Sequence, residues 1–298
     1  MIHRIFYRKI FYTEGAYYNY IQITMILTSI RDALVFCYKI GANWTTRYTL
    51  LSQMVERGLA VRNHYWYSRI VANQKTRVFD VRIPNDKQLY LRTQDMPMVH
   101  EIFKREDYRL PLEKSLKEAA VVLDLGANIG LASIFFQQHY FPNARFIAVE
   151  PSPKNIAVLQ QNLANNIEKA EIVPVVVSNK NGLVRIDDTE VGFNVHVLKP
   201  EKAQNTEGGV GTKVIALTML QIIEDLKIEH IDLLKMDIEG TEKEVLHDAA
   251  PWISKVQMMV IELHGDYTET HLRRDIEPFG FVVSKANAKH LYIAKRVE

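Results

Sequence analysis

Two short stretches carry the side chains best suited to chemistry. Ile231-Asp-Leu-Leu-Lys-Met-Asp237 is an apolar run that ends in a carboxylate, and Ile238-Glu-Gly240 follows it. As a buried strand it sets Asp237 and Glu239 outside the carboxyl end of a central strand, where ligands bind in open α/β sheets. Val256 to His264 is a second such run, and its Glu262 and His264, two apart, share one face of the strand and reach the same rim. Four polar side chains therefore converge on one crevice. A carboxylate at a strand tip with no local capping duty is costly to desolvate, which marks Asp237 as a site residue. An imidazole of ordinary pKa, about 6.5, can abstract a proton at neutral pH, so His264 is the candidate base. Asp237 and Glu239 compete for that role or orient His264. The same groups could hold Mg²⁺, a reading placed second. Lys235, inside the strand, is expected to pair with a nearby carboxylate.

Beside this rim the spacing predicts a ligand cradle. Val121-Val-Leu-Asp-Leu-Gly-Ala-Asn-Ile-Gly130 gives a buried strand, a glycine turn and a helix start near Ile129, and Phe146-Ile-Ala-Val-Glu150 gives the next strand. Gly126 lets backbone approach a ligand closely, and the helix start offers free N–H groups to an anion. Glu150, at the second strand tip, can accept both hydroxyls of a ribose. The turn lacks the middle glycine of G-x-G-x-x-G, which brings backbone onto a pyrophosphate. Asp124 precedes it and suits an ammonium, reached through the loop or a water. An adenosine-bearing molecule with an amino-acid end and no pyrophosphate, S-adenosylmethionine, is the cofactor expected.

The remaining elements fit a sheet around these sites. Ser152 caps a helix with Pro153 at its first position and a buried stripe of Ile156, Leu159 and Leu163; Asn165-Asn166 ends it. Glu171 to Val177 is a strand with Pro174 inside, tolerated at a sheet edge. Gly182 to Val197 and the polar loop Pro200 to Gly211 form an insertion expected to supply part of the substrate wall. Thr241 and Glu244 have the spacing of a capping box. Phe281 to Lys285 and His290 to Ala294 make a closing antiparallel hairpin, the reversed last strand of a seven-stranded methyltransferase sheet of order 3-2-1-4-5-7-6.

Val122-Leu-Asp-Leu-Gly-Ala-Asn-Ile-Gly130, Glu150-Pro151 with Asn162-Leu163, Asp232-Leu-Leu-Lys-Met-Asp-Ile-Glu-Gly240 followed by Glu242, and Ile261-Glu-Leu-His264 together resemble the FkbM family of S-adenosylmethionine-dependent methyltransferases. The resemblance runs from about Leu91 to the C-terminus, and Lys-x-Asp-x-Glu-Gly is its specific element. It implies a Rossmann-like class I methyltransferase domain that methylates oxygen, commonly a hydroxyl of a sugar, glycan or secondary metabolite. By match, Asp124, Gly126, Asn128, Gly130 and Glu150 would hold the cofactor, with Ser178 on the adenine side. Thr241 stands where the family often has alanine, and His247-Asp-Ala replaces a common glycine-alanine pair. The reaction needs the acceptor oxygen in line with the methyl at about 3 to 3.5 Å and a base for its proton.

Bulk properties bound the rest. The 298 residues, 47% hydrophobic, support a sizeable core. Residues 1–75 are expected to be a basic, aromatic-rich, mainly helical extension, and 76–298 the methyltransferase domain, entered through a hairpin over 76–92, with the cofactor core from about 119. Residues 1–77 hold 11 Lys/Arg against 3 Asp/Glu, a net charge of +8, and 14 of the 29 aromatics. Such a segment suits a helical cap or peripheral contact with an anionic surface. The single Cys37 and the lack of zinc-ligand spacing point to a reducing, cytoplasmic setting. The uncharged stretch Gly15 to Ile30 near the amino terminus is short of a bilayer span, so no transmembrane helix is expected. A nucleic-acid methyltransferase is the first alternative, but Asp237-Ile-Glu-Gly240 lacks an Asn/Asp-Pro-Pro-aromatic grip. A non-catalytic cofactor-binding protein and a nicotinamide oxidoreductase are the others.

Overall fold

The computed structural model describes residues 31–62, 78–112, 120–187, 196–197 and 211–297. Residues 31–40 are helical and lead to α1 (Trp44–Arg62). The hairpin β1 (Phe79–Ile83) and β2 (Lys87–Leu91) then passes through a helical turn, Met96–Val99, into a π-helical turn, His100–Lys104. The α/β body follows as β3 (Val121–Leu125), α2 (Leu131–His139), β4 (Arg145–Val149), α3 (Pro153–Asn166), β5 (Ala170–Val173), β6 (Val175–Val177), β7 (Gly182–Asp187), β8 (His196–Val197), β9 (Thr212–Leu217) and α4 (Met219–Asp225). It ends with β10 (Leu233–Met236), α5 (Glu242–His247), β11 (Met258–Glu262), α6 (Glu269–Ile276), β12 (Phe281–Lys285) and β13 (Leu291–Arg296). Of the expected amino-terminal extension, residues 1–30 and 63–75 lie outside the described residues.

The central sheet has seven strands in the order β12-β13-β11-β10-β3-β4-β5. In order of appearance within that sheet this is 6-7-5-4-1-2-3, the expected Rossmann-like topology. All neighbours are parallel except β13, antiparallel to both β11 and β12. Because β3 is buried on both faces, Val122 joins a core with Phe135, Phe146 and Val260, while Leu123 and Leu125 join another with Met236 and Ile261. Alternation along one strand thus feeds two hydrophobic layers.

Pro174 does more than tolerate an edge. It cannot donate to a ladder, so the expected single strand breaks there. Residues before it form β5, the edge of the main sheet; β6, after it, pairs in parallel with β9 in a separate four-stranded sheet ordered β6-β9-β7-β8. The described part of the insertion, expected in the substrate wall, is β7, β8 and β9 of this second sheet. Among the described residues no helix is long and apolar enough to cross a membrane.

The hairpin is tied to the body by two asparagines one turn apart on α3. Asn162 is fully buried; its Oδ1 accepts from Tyr90 N at 2.7 Å and its Nδ2 donates to Tyr90 O at 3.0 Å and Ile129 O at 2.7 Å. Asn166 repeats the pattern on Gln88 N and O. Two side-chain amides therefore satisfy the free edge of β2 as a neighbouring strand would.

Asn162→Ala removes three hydrogen bonds, one buried and two partly buried, and is expected to lower unfolding free energy by about 3 kcal/mol. Urea titration checks this; an unchanged midpoint means that water replaces the amide.

Candidate functional site

The turn after β3 is built by backbone crowding. Gly126 has φ +74°, and a Cβ there would stand 1.8 Å from the carbonyl oxygen of Asp237. Close approach to the β10 tip thus requires glycine, a reason beyond the expected approach of a ligand. Gly130, φ +85°, caps α2, which begins at Leu131 rather than near Ile129. A Cβ on Gly130 would meet Leu159 Cδ1 at 2.7 Å, so this glycine seats α2 against α3. Between them Asn128 adopts φ +50°, and its N–H donates to Glu150 Oε2 at 2.9 Å.

Glu150 is buried, and three of the roughly four acceptor positions of its carboxylate are taken by Asn128 N, Ser152 N and Asn155 Nδ2. One position remains for a donor from a ligand. Asn155 is oriented in turn by Arg92, whose buried guanidinium is paired with Asp95. The hairpin therefore helps to aim Glu150, a connection that sequence patterning alone gave no means to find.

Asp124, expected near a ligand ammonium, is fully buried. Ser133 Oγ donates to its Oδ2 at 2.6 Å and Lys235 Nζ lies 3.2 Å from its Oδ1. Lys235, buried as well, also donates to Gly126 O at 2.7 Å and stands 3.5 Å from Asp237 Oδ2. Burial pulls the ammonium pKa down, but Asp124 and Asp237 outweigh it and hold Lys235 above the ordinary lysine range. The expected structural pairing of Lys235 is thus present, and its partner is the aspartate.

A cleft lined by Gly126, Asn128, Glu150, Val175, Ile238 and Thr241 opens on one side of this turn. Ser178 is not in its lining; its N–H donates to Leu217 O, and the preceding residues of β6 face the cleft instead. On the other side is a cavity of about 320 Å³, in the range of small-molecule sites, walled by Met98, Ile102, Tyr108, Glu101, Glu262 and His264. The two share Gly126, Asn128, Asp237 and Glu239. The segment 97–108 supplies a described wall of this cavity, while residues 188–195 and 198–210 of the insertion expected there lie outside the described residues.

The structure brings Asp237, Glu239 and His264 together. His264 Nε2 lies 3.4 Å from Glu239 Oε2 and 3.8 Å from Asp237 Oδ1, while Nδ1 is 2.9 Å from Glu242 Oε1. Glu242, fully buried, also accepts from the N–H groups of Ile238 and Gly240. Those bonds pin the loop at Glu239, whose φ of +54° is a strained value for a residue with a side chain. The Thr241-Glu244 capping box does not form: Thr241 makes no cap bond and Glu244 is exposed, since Glu242 already satisfies the loop. Tyr108 donates to Asp237 Oδ2 at 3.4 Å. Glu242 stood in the family motif without an assigned role, and its one sequence signal is a carboxylate opening a helix after a glycine.

The charges of the cluster act on one another. Burial pushes the imidazole pKa down, but the hydrogen bond to Glu242 and the charges of Glu239, Glu242 and Asp237 outweigh it and raise His264 to about 9. A shift in that direction favours the imidazolium form at neutral pH. Burial and the Asp237 carboxylate raise Glu239 to about 7, and Glu262 is raised for the same reasons. Glu242 moves the other way: burial favours its neutral form, yet the bond to His264 holds it below the ordinary range. One ligand atom each from Asp237, Glu239 and His264 lie within 4.8 Å of one another, close enough to hold a divalent ion.

Comparison with known proteins follows the same residues. The Methyltransferase FkbM domain matches residues 124–283. The AMB antimetabolite synthetase AmbE of Pseudomonas aeruginosa is 28% identical over 202 residues, 56% of this chain but 9% of AmbE. The 31-O-demethyl-FK506 methyltransferase FkbM of Streptomyces tacrolimicus is 25% identical over 50% of this chain and 67% of its own length. The hexuronic acid methyltransferase AglP of Haloferax volcanii is 25% identical over 56% of this chain and 68% of its own.

Glu242→Gln removes the charge that anchors Nδ1, so the His264 pKa is expected to fall from about 9 toward the ordinary imidazole value. An NMR titration of the His264 ring checks it, and an unshifted midpoint would assign the charge state to Glu239 and Asp237 alone.

Proposed function

We propose that this chain, which belongs to the FkbM methyltransferase domain family, transfers a methyl group from S-adenosylmethionine to a hydroxyl oxygen of a sugar, glycan or secondary metabolite. The observation that carries this reading is the meeting, at one rim, of the glycine-turn cleft with the Asp237, Glu239 and His264 cluster. Two relatives named for methylating 31-O-demethyl-FK506 and hexuronic acid support an oxygen-bearing acceptor.

The cleft residues suit that donor. Glu150 has one acceptor position left for a ribose hydroxyl. Val175, Val177 and Ile238 give an apolar strip for a flat base, with Ser178 at its end. Gly126 and Asn128 line the passage between cleft and cavity, Gly130 seats the helix behind them, and Asp124 acts through Lys235. When bound, S-adenosylmethionine supplies an electrophilic sulfonium methyl whose leaving group needs no proton.

The chain's own residues then handle the acceptor. Glu239, with a pKa of about 7, accepts the hydroxyl proton as the new carbon–oxygen bond forms. His264, as imidazolium, holds Glu239 and Asp237 in place, and Glu242 fixes its ring. Asp237, steadied by Lys235 and Tyr108, orients the hydroxyl. Met98 and Ile102 keep water from the cavity wall.

The pH dependence follows by sign. Glu239 must be deprotonated, so the rate falls as pH drops through about 7; His264 must be protonated, so it falls again above about 9. Labelled S-adenosylmethionine mixed with a cell extract and followed by mass spectrometry reports the rate as methyl incorporation. Glu239→Gln is expected to bind the donor normally in calorimetry, slow incorporation by about 10²-fold or more and flatten the acid limb. Undiminished incorporation refutes Glu239 as base, and no donor binding by the unaltered chain refutes the whole reading.

A further inference from the structure

The helix at 31–40 has two apolar stripes. Phe36, Cys37 and Ile40 face the core, whereas Leu34, Val35 and Tyr38, on the opposite side, face solvent. The outward stripe continues onto α1 through Trp44, 80% exposed, and Tyr48, 75% exposed. Arg47 joins the two helices, its guanidinium 4.2 Å from the Tyr38 ring centre and 5.4 Å from that of Trp44. Half of the large hydrophobic residues that stand exposed among the described residues fall in this stretch of fifteen. Isolated exposed apolar side chains need no explanation, but a continuous stripe does.

We propose that this stripe docks the protein on an anionic bilayer surface. Three observations choose lipid over other occupants. Leu34 and Val35 are aliphatic and offer nothing to stack on a base or sugar ring, but they insert at an acyl boundary where Trp and Tyr also settle. The charges around the stripe are mostly basic, Arg31, Lys39 and Arg47 against Asp32, within a segment 1–77 of net +8, while the rest of the chain is −6. The basic groups beside the stripe draw this face toward a negative membrane. The placement also serves the site. Phe36 packs 5.4 Å from the His100 ring, in the segment whose Met98, Glu101 and Ile102 wall the larger cavity. The docked helix would lie against the segment that walls the cavity.

The test is vesicle co-sedimentation of the full chain with phosphatidylcholine alone and with phosphatidylcholine containing phosphatidylglycerol. Binding is expected only to the anionic vesicles and weakened by salt. The triple variant Tyr38→Ser, Trp44→Ser, Tyr48→Ser is expected to bind on the order of tenfold or more weakly. It should bind S-adenosylmethionine as the unaltered chain does, which shows that it is folded. Equal binding by variant and parent, equal binding to both vesicle types, or none to either overturns the proposal. So does a dimer in analytical ultracentrifugation that the triple substitution dissolves, since the stripe would then be covered by a second copy.

Discussion

One buried ammonium organises the site. Lys235 sits in the middle of β10, cut off from water, and its proton-bearing nitrogen is shared among the Gly126 carbonyl, Asp124 and Asp237. An isolated charge in that position costs many kcal/mol, so the carboxylates and carbonyls must come to it. In doing so they fix three things at once: the end of β3, the course of the glycine turn and the direction of Asp237. Gly126 lacks a side chain because this convergence draws two strand tips too close for one.

A second charge balance is layered on the first. His264 faces three carboxylates, and none of the four groups sits in its ordinary environment. Glu242 has the strongest grip because its other bonds, to Ile238 and Gly240, hold it rigidly. Glu239 receives the weaker end of the imidazolium and is left near neutrality. The difference between these two glutamates, one held charged and one poised to change, comes from the hydrogen bond of Glu242 to His264 and from the Asp237 charge beside Glu239 rather than from residue type.

Much of this was legible in the residues. The two-sided apolar runs ending in acids, the glycine turn and the terminal hairpin identified the sheet, its order and the rim where the polar groups meet. What could not be read was anything set by contact between distant segments. The charge of His264 depends on Glu242, which only the fold brings to its Nδ1. Asp124 looked available because the sequence does not say that Lys235 faces it. The 97–108 segment walls the cavity through chain routing, which leaves no periodic trace, and the amide ladder of Asn162 and Asn166 imitates a strand with side chains of a helix.

Pro174 has a wider consequence. By ending one ladder and starting another without a turn, it uncouples the second sheet from the register of the first. Strand β7 lines neither the cleft nor the cavity and can change composition, while β9 holds β6 at the cleft and keeps its geometry. A single imino acid thereby separates the part of the molecule free to diversify from the part that is not.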